Sequence, residues 1–117
     1  MYQSANVVFN PLISFDSADL TGAYVNFGSF TYAARIIHIV NDSNEDVLFS
    51  FDGGVTDHLF VKAGTFLLYD FGTNRGNSAP GLEIAPTAIM INGSAGMGDI
   101  YCMSIAAISP TNVYPGV

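Results

Sequence analysis

Residues 34–71 read ARIIHIVNDSNEDVLFSFDGGVTDHLFVKAGTFLLYDF, and the spacing of their apolar side chains is that of β-strands. In 35–40, Ile37 and Ile39 alternate with Ile36 and Val40, so both faces are apolar. That suits a central strand or one covered by a partner. Val47, Phe49 and Phe51 then alternate with Leu48, Ser50 and Asp52, which gives one firmly buried face. Residues 58–62 and 66–71 repeat the pattern. The connections 41–45, 52–56 and 63–65 are short and rich in Asn, Asp, Gly and Thr. Such turns predict antiparallel pairing of successive strands, a four-strand meander.

Outward from this stretch the strand signal continues more weakly. Residues 7–15 are interrupted by Pro11 and 23–30 by Gly28, as edge or bent strands are. Residues 72–81 hold three Gly, two Asn and Pro80, and are expected to form an exposed loop. Strands resume at 82–85 and 88–91, on either side of Pro86, and break again at 93–98. The last, 100–108, alternates Tyr101, Met103 and Ile105 with Cys102, Ser104 and Ala106. No window has a 3.6-residue apolar period, and 14–22 offers one helical turn at most. The expected fold is all-β: an antiparallel two-sheet β-sandwich of jelly-roll or Greek-key type, with eight or nine short strands. It forms one domain over 1–117, with an extended N-terminal arm at 1–16 and a C-terminal tail at 109–117.

Composition points to assembly. Half of the 117 residues are hydrophobic and 11% are charged, where soluble chains average about 25% charged. A surface so short of charge is built from uncharged polar residues or is covered by neighbouring subunits. The net charge is −7, with three basic residues, Arg35, Lys62 and Arg75. No basic stripe exists to meet nucleic-acid phosphates or an anionic membrane, and no apolar run approaches the roughly 18 residues of a membrane span. The first residues lack the basic and apolar regions of a secretory signal, so a soluble protein made in the cytoplasm is expected. Cys102, the one cysteine, sits in an apolar run and reads as a small buried hydrophobe.

Candidate chemistry is sparse. Asp42, Asn44 and Asp46 have the oxygen spacing that opens a calcium loop, and are the weak metal candidates. Val47 then stands at the turn-glycine position and Gly53 at that of the bidentate glutamate, so a hydrated turn is the better reading. Asp52, Asp57 and His58 could converge across the turn made by Gly53 and Gly54, although glycines there are explained by positive φ alone. His38 lies within an apolar strand, and Cys102 has no neighbouring cation to activate it. The chain is therefore expected to be no enzyme and to need no cofactor. Most of the nine Phe suit the core, while Tyr2, Tyr24, Tyr32, Tyr69 and Tyr114 suit a binding surface for protein or glycan.

The stretch 35–74, RIIHIVNDSNEDVLFSFDGGVTDHLFVKAGTFLLYDFGTN, resembles small virion structural proteins of tailed bacteriophages. A strand ending in an Asn-Asp turn precedes "SFDGG", then an "AG" turn and a hydrophobic strand ending in "D…TN". The resemblance covers about a third of the chain and carries no catalytic residues. It implies a β-sandwich used for capsid decoration or as a minor capsid, neck, tail or fibre-associated part, located in the virion. The partners so implied are other copies of the chain and other virion proteins, with Tyr2, Phe9, Arg75, Asn77 and Tyr114 as candidate contacts from the N-terminal arm, the 72–81 loop and the tail. A carbohydrate-binding module is the alternative.

Overall fold

In the computed structural model, which describes residues 6–70, 84, 85 and 87–108, the apolar runs become strands. These are β1 (Asn6–Phe9), β2 (Ile13–Asp16), β3 (Val25–Ser29), β4 (Ile36–Ser43), β5 (Val47–Ser50), β6 (Leu59–Val61), β7 (Phe66–Asp70), β8 (Ala88–Asn92) and β9 (Gly98–Ile108). A 3-10 turn at Ser17–Asp19 follows β2, capped by the Asp16 side chain, which accepts from the Ala18 N–H. Two antiparallel sheets result. Sheet A runs β1–β9–β4–β7, with β2 also paired to β9, and sheet B runs β3–β8–β5–β6.

The pairing is nested. β1 and β2 pair with β9, β3 with β8, β4 with β7, and β5 with β6. A long antiparallel ribbon wrapped on itself in this way is the jelly-roll order, with β1 and β2 sharing one position. Pro11 separates those two strands where residues 10–12 stand opposite Met103 and Ser104, a bulge of one extra residue. Asn10 pins it: its N–H donates to the Ser104 carbonyl, and its buried side chain exchanges two hydrogen bonds with the Tyr32 backbone. From residue 6 onward, then, the expected N-terminal arm lies in the chain's own sheet. Residues 1–5, the 72–81 loop and the 109–117 tail lie outside the described residues.

The expected meander is not formed. Only β5 and β6 pair as a hairpin, because β4 spends its two edges on β9 and β7 while β5 spends its own on β8 and β6. Both the β4–β5 and β6–β7 connections therefore cross from one sheet to the other. Buried Asn41 satisfies their polar groups. Its Nδ2 donates to the carbonyls of Glu45 (2.8 Å) and Val61 (3.1 Å), and its Oδ1 accepts from the Ser43 N–H and hydroxyl. Its backbone bonds Thr65 and Gly64 in the second crossing.

Between the sheets lie Ile37, Ile39, Ile100 and Cys102 from sheet A and Phe27, Val47, Phe49, Val61, Ile89 and Ile91 from sheet B. Phe27 and Phe49 meet edge-on at 5.1 Å between ring centroids. The core thus consumes one face of each sheet, and the outer faces are left for other work.

Candidate functional site

Alternation along β4, β7 and β9 sends every second side chain outward. On β4 these are Ile36, His38 and Val40, and on β9 Tyr101, Met103 and Ile105. Register aligns them in rows across sheet A: Phe9, Ile105 and Ile36 in one; Met103, His38 and Leu68 in the next; Tyr101, Val40 and Phe66 in a third. Leu12, on the bulge, flanks the second row. Phe9 (70% exposed), Leu12 (60%), Phe66 (67%) and Leu68 (59%) face open space. A groove of about 490 Å³ runs between Phe9, Leu12, Ile36, His38, Leu68 and Met103. His38 separates it from a second depression, about 390 Å³, beside Val40 and Phe66. The imidazole stands edge-on to the Phe66 ring at 5.5 Å. Contiguous exposed apolar surface of this kind marks sites of association rather than ordinary solvated surface.

The next row of the same face is acidic. Asp16 stands opposite Asp99, and Asp99 opposite Asp42. Tyr101 shares the face, its hydroxyl 3.3 Å from Asp99 Oδ2, and the charge of Asp99 raises the phenol pKa. Like charges directly abreast in a sheet repel. An apolar field bounded at one end by three carboxylates is therefore the chemical character of this surface.

Of the sequence-predicted contacts, Phe9 lies on this face, and Tyr2, Arg75, Asn77 and Tyr114 are outside the described residues. The weak calcium candidates Asp42, Asn44 and Asp46 are each placed by a different contact. Asn44 Oδ1 accepts from the Met97 N–H and Asp46 Oδ1 from the Ala63 N–H, while Asp42 belongs to the outer row of sheet A. The Asn44 and Asp46 side chains serve two different backbone donors, while Asp42 stands in the outer row. Among the described residues no group of three or more His, Cys, Asp or Glu is placed to hold a metal ion. Cys102 is buried, and burial pushes its thiol up to about 12. The sequence reading missed Leu12, Met103 and Leu68. Its available signal was that 35–40 and 100–108 are apolar in both parities.

The Asp52–His58 turn is braced from within. Ser50 donates to Asp52 Oδ1 at 2.6 Å, the Thr56 N–H donates to the same oxygen, and the Gly54 N–H donates to Ser50 Oγ. The Phe51 N–H donates to His58 Nδ1, and Tyr24 donates its hydroxyl to Asp57. Gly53 and Gly54 both have positive φ, as the turn reading required. Hydrogen bonds from Ser50 and then Thr56 hold the Asp52 carboxyl well below the usual carboxylate range. Burial and then Asp57 raise Tyr24 to about 12, so it stays a donor. A depressed carboxyl stabilises the fold above its unfolded pKa of about 3.9 and loses that effect as pH falls through its folded value. Accordingly, Asp52→Ala is expected to speed amide exchange at Thr56 about tenfold at neutral pH. The difference from the wild type should vanish only in strong acid.

No family model and no curated protein matches the chain. Among solved structures, it is similar to a protein of the Bacillus endospore appendages, a family of disulfide-linked pili, at 15% identity and a TM-score of 0.39. The alignment covers 91% of this chain and 92% of that one.

Proposed function

We propose that the chain is a structural virion protein of a tailed bacteriophage, a decoration or minor capsid protein, which self-associates and docks on other virion proteins. The observation that carries the docking is the apolar outer face of sheet A. A side chain such as Phe9, Phe66 or Leu68 contributes about 1.5–3 kcal/mol when fully removed from water. That gain is available only through association. The charge-poor composition supports the same reading, and the stretch 35–74 supports the virion in particular. The jelly roll is a fold that capsid domains and lectins share, an analogy and no more.

Sedimentation of the full chain with and without particles tests this. The wild type is expected to form a species larger than a monomer and to co-sediment with virions. Met103→Glu sets a carboxylate in the middle of the apolar rows and is expected to weaken docking more than tenfold, about 1.4 kcal/mol, with the fold retained. A chain that stays monomeric at high concentration and never sediments with particles sinks the proposal. Saturable glycan binding that Met103→Glu leaves untouched favours the carbohydrate-binding alternative.

A further inference from the structure

The apolar face and the acidic row beside it must be covered by the same partner, and charge limits which partner that is. Among the described residues Asp16, Asp42 and Asp99 are paired with no Lys or Arg. Asp16 and Asp42 are exposed, and Asp99 partly so. The chain has three basic residues against ten acidic. A second copy, turned about a dyad between the Tyr101 and Met103 rows, sets its acidic row over the Phe9, Ile105 and Ile36 row. Three carboxylates then lose water against apolar side chains. Such burial without a partner charge is strongly unfavourable.

We infer that the outer face of sheet A takes a protein of different sequence, whose apolar surface fills the groove beside His38 while Lys or Arg at one margin meets Asp16, Asp42 and Asp99. The inference rests on the assembly reading above and assigns its partner. The apolar rows supply the contact area and the carboxylates fix its direction, since a partner docked the wrong way round leaves its basic margin over Phe9. Self-association then falls to other surfaces.

Two synthetic amphipathic peptides test it on the full chain, one of leucine and lysine, the other of leucine and glutamate. Amide shifts are followed by NMR at low and high salt. The lysine peptide is expected to perturb β4, β7 and β9. Its affinity should fall about tenfold in the variant Asp16→Asn, Asp42→Asn, Asp99→Asn, and comparably at high salt, because each exposed ion pair contributes little alone. The glutamate peptide is expected not to bind. Equal binding of both peptides, or undiminished binding by the triple variant, overturns the basic partner and leaves the docking face intact. If Met103→Glu and, separately, Leu68→Asp leave the lysine peptide bound as before, the face itself fails. A concentration-dependent dimer that either variant abolishes makes the occupant a second copy and overturns the inference.

Discussion

Asn41→Ala is expected to remove about 3–5 kcal/mol of folding stability, a large part of what a domain of this size possesses. The residue is 1% exposed, and its amide serves groups on both sheet crossings. Truncation leaves the carbonyl of Val61 and the N–H of Ser43 without their side-chain partners, and frees the Glu45 carbonyl from one of two donors. Each buried group left unsatisfied costs about 1–3 kcal/mol. The Ser43 hydroxyl already reaches the Glu45 carbonyl at 3.2 Å, which softens one loss of the three. Urea unfolding gives the answer, as a lower midpoint at an unchanged slope. Asn44→Ala, which removes an exposed bond to the Met97 N–H, is the control and should cost no more than about 1 kcal/mol. If the two variants cost the same, Asn41 does not hold the crossings together.

Asn41 also marks where sequence reading stops. The strands themselves were legible, because β-branched and aromatic runs closed by Gly, Asn and Asp identify them locally. Their partners were not. A short polar connection suits a hairpin and a crossing between sheets equally, and the choice depends on whether β9 and β8, some sixty and forty residues downstream, claim the edges of β4 and β5. Pro11 and Gly28 were read correctly as irregularities, since each sits at or beside a one-residue register shift.

The apolar outer face of sheet A was half legible for a similar reason. Ile36 and Val40 opposite Ile37 and Ile39 said that β4 is apolar on both sides, and a strand at the centre of sheet A with an uncovered outer face fits that pattern. The acidic row could not be read at all. Asp16, Asp42 and Asp99 come from three strands far apart in the chain, and register alone brings them abreast. Asp42 looked like part of a local cluster with Asn44 and Asp46, whereas its neighbour in space is Asp99.

Gly98→Ala is expected to be as damaging as Asn41→Ala, and by a different route. Gly98 opens β9 opposite Ser43 with φ of 102°, a conformation that costs a side-chain-bearing residue about 1–3 kcal/mol. A Cβ there lies 2.2 Å from the Asp42 carbonyl oxygen and 2.8 Å from the Ser43 Cα. Neither is a flexible side chain, so the backbone of β4 must move, at about 1–3 kcal/mol more. Gly53→Ala separates the two contributions. Gly53 has φ of 79° with nothing within 4 Å of its added Cβ, so that variant feels the backbone strain alone. Gly98→Ala should therefore unfold at distinctly lower urea than Gly53→Ala, and equal midpoints refute the close approach. The displacement has a second readout at the outer face of sheet A, because the backbone that must yield carries Asp42 and the residue after Gly98 is Asp99. Where enough folded Gly98→Ala survives, it should hold the leucine–lysine peptide more weakly than Gly53→Ala does, although every side chain of the face is still present.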